Sequence, residues 1–318
     1  MKTFTVIRTN SSPYHGKDFE QKEQMRLEKL PGLNWRKLEE EIPEEPVILI
    51  TNTHTRLNQL SPWLLDNTKL IVHSNSGYDN FTEDRKLWEN IPTIVGHEIR
   101  AQAVAEYYLC ALFNGLSEIP QHLIWNRSRH WERPLLKDQR ILLIGFGHVG
   151  KILTTTLKAI GCNVTIIDPL IEGNFSRWEE VKLDEYKIVL LCCSLNSSTY
   201  HLCNKFFFEK AHPELLLING ARGKIIQEKA LREFLLSHPR AMAYLDVFEQ
   251  EPFDESWHHF PQVWKTSHIA GVYSDLDEAI IQFEEKTIND FLSLKDLEFK
   301  LKYKMQLLQN KWIKGELI

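Results

Sequence analysis

The chain lacks the long apolar runs and the excess positive charge that mark membrane proteins and nucleic-acid-binding proteins. No uncharged apolar stretch in its 318 residues reaches the roughly 18 residues that a membrane-spanning helix needs. The amino terminus has no long apolar core after Lys2, so we expect no secretory signal. The net charge of -5 disfavours a general role in binding nucleic acid. We therefore predict a protein without membrane or nucleic-acid partners, and its length is sufficient for two domains.

Cysteine is also scarce. The chain has five cysteines, an odd number, and most of them lie in apolar runs. This usage is typical of buried, reduced thiols in a cytoplasmic protein and not of a disulfide framework. The adjacent Cys192 and Cys193 could form a reactive pair, but the segment EYKIVLLCCSL around them has the pattern of a buried strand. We predict a cytoplasmic protein with no metal site.

The most informative segment that is present is RILLIGFGHVGKILTTTLKAIGCNVTIIDP, residues 140–169. It contains an apolar run, three glycines, a helix-length segment and a second apolar run. Gly145 allows a tight turn after the first strand, Gly147 lets the backbone approach a diphosphate, and Gly150 lets the helix pack against the strand. A glycine-bearing turn in another kind of α/β domain is the alternative. The flanking strands favour a dinucleotide-binding unit.

The residues around these glycines predict which dinucleotide is bound. The amides of His148 and Val149 open the helix, where the dipole and unpaired N–H groups favour an anion. Asp168 ends the second strand, close to the expected offset of about 20 residues. Its carboxylate can accept hydrogen bonds from both ribose hydroxyls and would repel a 2′-phosphate. No arginine follows in residues 169–172, so the sequence favours NAD over NADP.

The apolar patterns divide the chain into two α/β regions. In the first hundred residues we predict strands at Phe4–Ile7, Val47–Thr51, Leu70–His73 and Thr93–Val95, with helices around Asp18–Glu28 and Asp84–Glu89. A long amphipathic helix over Arg100–Leu116 follows. In the second half we predict strands at Ile141–Ile144, Val164–Ile167, Ile188–Cys192, Leu215–Ile218, Met242–Val247 and Val263–Ser267.

The end of the chain is predicted to be helical. Asp275–Leu292 has the period of a helix, with Ser274 as its N-cap and Glu278 near its first turn. The lysine-rich segment after it is also helical in period. That tail could be a charged binding arm or a solvated helix face.

Three further segments carry side chains suited to carbonyl reduction at predicted strand ends. They are LLLINGARGKIIQEKAL with Arg222, AYLDVFEQEPF with Asp246 and Glu251, and TSHIAG with His268. Open α/β sheets bind their ligands at the carboxyl ends of the strands. Arginine offers a permanent, forked cation for a carboxylate, and an imidazole can protonate a developing alkoxide. A carboxylate can orient that imidazole and favour its protonated form.

Together these segments resemble the D-isomer-specific 2-hydroxyacid dehydrogenases, a family that includes phosphoglycerate, glycerate, glyoxylate and D-lactate dehydrogenases. The resemblance extends from about Thr51 to about Leu292 and is dense in N-x-A-R-G, L-D-V-x-x-x-E-P and S-H-I-A-G. It implies a Rossmann-type NAD-binding domain inserted into a smaller flavodoxin-like parallel α/β substrate domain, with the active site in the cleft between them. We place the substrate domain at 1–99, the NAD-binding domain at 100–289, and a segment returning to the substrate domain at 290–318.

The resemblance also implies a role for each site residue. Arg222 would hold the substrate carboxylate and polarise its carbonyl, while His268, paired with Glu251, would be the acid/base. Asp246 would hold the nicotinamide carboxamide. The backbone of Ser76 and Gly77, in the segment SNSGYDN, would meet the substrate carboxylate. The predicted cofactor-binding set is Gly145, Gly147, His148, Val149, Gly150, Asp168, Ala221, Asp246 and Gly271.

Some positions depart from patterns within the family. Relatives specific for phosphoglycerate tend to place arginine near the start of the loop after Ile50, where this chain has Asn52. A phosphorylated substrate therefore stays open, because His54 and Arg56 could substitute. Phosphite-oxidising relatives carry lysine before the amino-terminal glycine, where this chain has Ser76.

The sequence thus predicts a cytoplasmic NAD-dependent D-2-hydroxyacid dehydrogenase that transfers a hydride between NAD(H) and C2 of a small 2-hydroxy or 2-keto acid. We expect it to act as a 2-keto-acid reductase. A homodimer would form mainly through the cofactor domain, with the Trp- and Arg-rich segment Gln121–Leu136 as a predicted interface. The alternative is an NAD(H)-sensing regulator on the same fold, like the C-terminal-binding-protein corepressors.

Overall fold

The computed structural model describes residues 3–38, 45–81, 85–117, 123–128, 133–171, 175–313 and 316–317. These residues form two compact units. One unit comprises Met1–Arg100 and Val272–Ile318, and the other comprises Ala101–Gly271. Each unit contains its own parallel sheet, so the predicted two-domain α/β fold class is confirmed.

The first unit contains a parallel sheet of five strands in the order β2-β1-β3-β4-β5. Its strands are β1 (Phe4–Arg8), β2 (Leu33–Lys37), β3 (Val47–Thr51), β4 (Thr68–His73) and β5 (Thr93–Val95). This is the flavodoxin-like order, whose switch point lies between β1 and β3. Strand β2 was not predicted, because only Leu33 and Trp35 in it are buried, and their neighbours are polar.

Helices cover this sheet on both faces. They are α1 (Phe19–Leu27), α2 (Pro62–Asn67) and α3 (Arg85–Trp88) in the first part of the chain, and α8 (Leu276–Ser293) and α9 (Asp296–Lys302) near its end. The short α2 was not predicted. The predicted helix at Asp84–Glu89 is described from Arg85, and Asp84 lies outside the described residues.

Two details at the end of the chain differ from the predictions. Ser274 does not cap α8, because the helix begins one residue later, with Asp275 at the N-cap and no side-chain cap hydrogen bond. Glu278 does lie in the first turn, where it forms an ion pair with Arg26 of α1. Among the described residues, the tail contains α9 and a short 3-10 segment at Leu308–Lys311, and its apolar side chains Phe299, Leu307 and Leu308 are buried in the cores of the first unit. The tail is therefore neither a free arm nor a continuous solvated helix.

The second boundary between the units lies earlier than the predicted one at residue 289. Helix α8 packs against α1 and β4 of the first unit. Leu276, Ile280 and Ile281 form a buried cluster with Phe19 of α1. Because its apolar face is covered there, α8 belongs to the first unit and not to the unit with the glycine motif.

The second unit contains a parallel sheet of six strands in the order β11-β10-β9-β8-β6-β7. Its strands are β6 (Arg140–Ile144), β7 (Asn163–Ile167), β8 (Ile188–Leu191), β9 (Leu216–Asn219), β10 (Met242–Leu245) and β11 (Val263–Lys265). Its helices are α4 (His97–Ser117), which begins in the first unit, α5 (His148–Ala159), α6 (Lys205–Lys210) and α7 (Glu228–Ser237). The strand order reverses between β6 and β8, which is where such sheets bind ligands.

The cysteines are consistent with the predicted buried strand. All five are free, and Cys192 and Cys193 directly follow β8. Burial raises the pKa of the Cys193 thiol to about 12, and that of Cys192 is raised further. Since the thiolate is the reactive species, this environment disfavours the alternative of a reactive pair.

Two predictions concern interaction partners: the absence of a membrane-spanning helix and the homodimer interface. Among the described residues, no helix is both long enough and apolar enough to cross a membrane. In the predicted interface segment Gln121–Leu136, residues 121–122 and 129–132 lie outside the described residues. Leu123, Ile124 and Trp125 are strongly exposed. The homodimer stays a prediction.

Candidate active site

The loop between β6 and α5 carries the glycine motif, and its shape leaves room for a ligand. Gly145 has a φ of 99°, and a Cβ at this position would lie 2.5 Å from the Cys193 amide nitrogen. A Cβ on Gly150 would lie 2.3 Å from the Gly145 carbonyl oxygen. In contrast, a Cβ on Gly147 would have no described atom within 4 Å. Packing thus requires Gly145 and Gly150, whereas Gly147 faces open space that a diphosphate could occupy.

The start of α5 suits an anion. Gly147 is the N-cap residue and has no side chain to occupy the first-turn amides. The first intrahelical hydrogen bond runs from the Lys151 amide to the Gly147 carbonyl at 3.0 Å. His148 and Val149, both half-buried, therefore begin the helix where its dipole is positive.

Asp168 follows β7 and lies beside the same loop. Its Oδ2 accepts a hydrogen bond from the Phe146 amide at 2.7 Å, and its Oδ1 accepts one from the Leu170 amide at 2.9 Å. Each carboxylate oxygen can accept two hydrogen bonds, so one acceptor position remains on each. Two positions side by side match the two hydroxyls of an adenosine ribose.

Arg222 lies in a turn after β9 that other residues hold firmly. The buried Asn219 accepts a hydrogen bond from the Ala221 amide at 3.1 Å and donates one to the Arg222 carbonyl at 3.0 Å. A Cβ on Gly223 would lie 1.8 Å from the Phe248 carbonyl oxygen. The turn therefore packs directly against the segment after β10, and one guanidinium nitrogen of Arg222 donates to the Ala221 carbonyl at 2.7 Å.

Tyr108 of α4 connects the ends of two strands at this edge of the sheet. Its hydroxyl donates to the Leu191 carbonyl at the end of β8 and accepts from the Gly220 amide at 2.8 Å. The side chain is fully buried, and burial raises its pKa well above the usual value. Tyr108 thus fixes the Arg222 turn relative to the strand that adjoins the glycine loop.

His268 and Glu251 form the pair that the sequence predicted. Nδ1 of His268 lies 2.8 Å from Oε2 of Glu251, and the two side chains are 54% and 40% exposed. Burial acts to raise the pKa of Glu251, but His268, the Phe248 amide and the charge of Arg222 together hold it below its usual value. Glu251 is therefore an ionised partner for the imidazole, and Nε2 is left as the nitrogen that can exchange a proton with a ligand.

Asp246 is fully buried at the end of β10 and holds the segment that carries His268. Its Oδ1 accepts hydrogen bonds from the Thr266 hydroxyl at 2.6 Å and the Ile269 amide at 2.8 Å, and its Oδ2 accepts one from the Ala270 amide at 2.8 Å. Only one acceptor position on the carboxylate remains for the carboxamide contact that the resemblance implied. Gly271, also predicted to bind the cofactor, directly follows this segment.

In the first unit, Ser76 and Gly77 follow β4 in a turn tied to the buried His73. The His73 Nε2 lies 2.7 Å from the Gly77 carbonyl oxygen, and its Nδ1 lies 2.9 Å from the Thr51 hydroxyl. A carbonyl can only accept, so Nε2 carries a proton and donates it to Gly77. The turn that carries the predicted backbone contacts is thus fixed to the end of β3.

The side chain of Asn52, at the position where some relatives have arginine, forms hydrogen bonds within the protein. Its amide nitrogen donates to the Asn10 carbonyl at 3.2 Å, and its Oδ1 accepts from the His54 amide at 2.9 Å. The side chain is buried. His54 and Arg56 are exposed on the same loop, and the guanidinium of Arg56 is positively charged.

Sequence reasoning missed several residues that build the site. Asn219, Thr266 and His73 form hydrogen bonds to residues that were predicted. Tyr107 bonds Thr266, and Tyr108 bonds the backbone of Leu191 and Gly220. The only available signal was their proximity to motif residues, such as Asn219 in N-x-A-R-G. Among the described residues, no group of three or more His, Cys, Asp or Glu side chains could hold a metal ion.

Comparison with known proteins agrees with this geometry. The family model described as D-isomer specific 2-hydroxyacid dehydrogenase, NAD binding domain, matches residues 109–270. The D-3-phosphoglycerate dehydrogenase of Bacillus subtilis is 29% identical over 236 residues, covering 68% of this chain and 45% of that protein. The hydroxypyruvate reductase of Thermotoga maritima is 29% identical over 195 residues, covering 58% of this chain and 64% of that protein.

A solved structure has the same fold. The D-lactate dehydrogenase of Aquifex aeolicus, complexed with NAD and lactic acid, superimposes with a TM-score of 0.70 at 19% identity. The match covers 96% of this chain and 99% of that one. Among the curated relatives, by contrast, the chain spans about half the length of those it matches first.

The matched family model covers half of the chain, and it coincides with the second unit. The chain therefore belongs to the D-isomer specific 2-hydroxyacid dehydrogenase family. Its cofactor is NAD, because the matched family model describes an NAD-binding domain. The loop at Gly147, the start of α5 and Asp168 form a site that fits this cofactor.

Proposed function

We propose that this protein is an NAD-dependent reductase of small 2-keto acids. The observation that carries the proposal is the 2.8 Å pair of His268 and Glu251, together with the Arg222 turn packed against the same segment. These residues lie at the ends of neighbouring strands in the unit that binds the cofactor. The specific substrate class and the role of each residue are part of this proposal.

In the proposed reaction the chain supplies orientation, charge and a proton. NADH, when bound, supplies the hydride that C2 of the keto acid receives. Nε2 of protonated His268 gives its proton to the carbonyl oxygen, while Glu251 stabilises the imidazolium through Nδ1. Arg222 binds the carboxylate with its planar fork and stabilises the charge that develops on the carbonyl oxygen. The backbone of Ser76 and Gly77 stays a predicted contact for the same carboxylate.

The proposal is tested by following NADH oxidation with a panel of keto acids. The panel contains glyoxylate, hydroxypyruvate, pyruvate, phenylpyruvate, 2-ketoisocaproate and 3-phosphohydroxypyruvate. We expect turnover with at least one unphosphorylated member, because Asn52 is occupied internally and offers no charge to a phosphate. Tight NADH binding without turnover of any member would instead favour the NAD(H)-sensing regulator.

The position of Asp168 predicts cofactor preference. We expect a higher kcat/KM with NADH than with NADPH, because the carboxylate accepts ribose hydroxyls and repels a 2′-phosphate. Asp168→Ala should lower kcat/KM for NADH by about 10- to 100-fold, the effect of losing hydrogen bonds to a charged group, and should narrow the preference. Equal kcat/KM values for the two cofactors in the parent would contradict this assignment.

The low pKa of Glu251 predicts a change in pH dependence. The carboxylate is ionised across the neutral range and loses its charge only as pH falls through its depressed pKa. Glu251→Gln retains an acceptor but removes the charge that favours the imidazolium. We therefore expect the alkaline limb of the kcat profile for reduction to move to lower pH. Superimposable profiles for parent and variant would show that Glu251 does not act on His268.

A further inference from the structure

A line of hydrogen bonds connects helix α4 to the segment that carries His268. The Tyr107 hydroxyl lies 2.8 Å from the Thr266 hydroxyl, which lies 2.6 Å from Oδ1 of Asp246. Thr266 follows β11, and Asp246 follows β10. All three residues belong to the second unit, so the line is internal to one compact body.

The direction of this line follows from what each group can donate. The Asp246 carboxylate accepts hydrogen bonds from the amides of Ile269 and Ala270, and an ionised carboxylate has no proton to donate. Thr266 therefore donates its proton to Asp246, which leaves its oxygen to accept from Tyr107. The Tyr107 hydroxyl must be neutral to donate, and burial raises its pKa to about 12. The direction is thus maintained over the whole neutral pH range.

The segment that this line holds has an unusual backbone at His268. The residue has a φ of 56°, in the left-handed region that a side chain other than glycine rarely adopts. Such a conformation persists only when its surroundings fix it. Here the His268 amide donates to the Asp246 carbonyl at 2.9 Å, and the Asp246 carboxylate holds Thr266 before it and Ile269 after it.

We propose that Tyr107 and Thr266 are positioning residues for His268. Thr266 orients the Asp246 carboxylate, Tyr107 orients the Thr266 hydroxyl, and Asp246 fixes the backbone from which the imidazole reaches Glu251. Tyr107 touches neither member of the acid/base pair and acts through the other two residues. This inference rests on the proposed role of His268 as the acid/base.

The primary test is Tyr107→Phe, which keeps the ring and removes only the donor. We expect kcat to fall about five-fold, the effect of losing one neutral hydrogen bond, with little change in the NADH dissociation constant. Thr266→Val removes a donor to a buried carboxylate and should lower kcat by roughly 50-fold. In both variants the alkaline limb of the kcat profile should move to lower pH, as in Glu251→Gln. The reason is that His268 would be paired with Glu251 in a smaller fraction of the protein, so the imidazolium would be less stabilised.

Tyr244→Phe is the matched control. Its hydroxyl also bonds α4, at 3.0 Å from Oδ1 of Asn114, but lies outside the line to Asp246. Tyr107→Phe and Tyr244→Phe should have similar melting temperatures, whereas only Tyr107→Phe should change kcat and the pH profile. An equal fall in kcat for both variants would mean a general loss of packing and would overturn the proposal.

A double-mutant comparison and a measurement without turnover complete the test. In the His268→Ala background, Tyr107→Phe should leave the residual rate unchanged, and a further five-fold fall would overturn the proposal. Amide hydrogen exchange of the protein without substrate should be faster at residues 266–271 in Tyr107→Phe and unchanged in Tyr244→Phe. This readout decides the proposal even if the parent reduces no keto acid, and unaltered exchange in Tyr107→Phe would contradict it.

Discussion

Replacing His268 by alanine should lower kcat for keto-acid reduction by about 10²- to 10⁴-fold, the usual contribution of general acid catalysis. The NADH dissociation constant should change little, because the glycine loop and Asp168 lie on other strands of the sheet. Glu251, the partner of the imidazole, cannot replace it as the proton donor, since the carboxylate is held ionised. Steady-state rates and NADH titration by fluorescence measure the two quantities.

The matched control for this variant is His259→Ala. His259 is an exposed histidine in the short helical segment Glu255–His259, close in sequence to His268 but outside the acid/base pair. Its replacement should leave kcat unchanged. If His268→Ala reduced keto acids as fast as the parent, the acid/base assignment would be wrong.

Replacing Gly223 by alanine should damage both stability and activity. The added Cβ would lie 1.8 Å from the Phe248 carbonyl oxygen, which is backbone and cannot rotate away. Overpacking of this severity should cost about 3 kcal/mol of unfolding free energy and lower the melting temperature by roughly 10 °C. Because the clash separates the Arg222 turn from the segment leading to Glu251, kcat/KM for the keto acid should fall as well.

Gly147→Ala is the glycine replacement that serves as a control. A Cβ there has open space around it, so the melting temperature should stay within a few degrees of the parent value. NADH binding should weaken instead, because the methyl group would occupy the place we assign to the diphosphate. A Gly223→Ala protein as stable as Gly147→Ala would contradict the packing described for the Arg222 turn.

The sequence predicted those parts of the fold whose signals are local. Strands such as Val47–Thr51 and Thr93–Val95 are short apolar runs between polar turns, and the structure has them with the predicted bounds. Strand β2 was missed because Leu33–Lys37 has only two buried apolar residues and carries two basic ones. The position of α8 could not be predicted, because its amphipathic pattern does not specify which core covers it.

The candidate site was predictable where single residues carry the chemistry. The glycines at 145, 147 and 150 could be inferred from residue type and spacing, and the family resemblance implied the pairing of Glu251 with His268. The support for those residues could not. Tyr107 and Thr266 are 159 residues apart, and neither has a side chain whose chemistry marks it for catalysis. Such residues become identifiable only when the fold brings their hydroxyl groups together.

The central claim is that this protein transfers hydride from NADH to C2 of a 2-keto acid. The most direct measurement uses NADH deuterated at both C4 positions with the keto-acid panel, followed by mass and NMR analysis of the acid products. We expect deuterium at C2 of a 2-hydroxy acid. After the same incubation time with the His268→Ala variant, we expect almost no deuterium in the acid products. If the parent binds the labelled NADH and no acid in the panel acquires deuterium at C2, the claim is wrong and the NAD(H)-sensing regulator becomes the leading account.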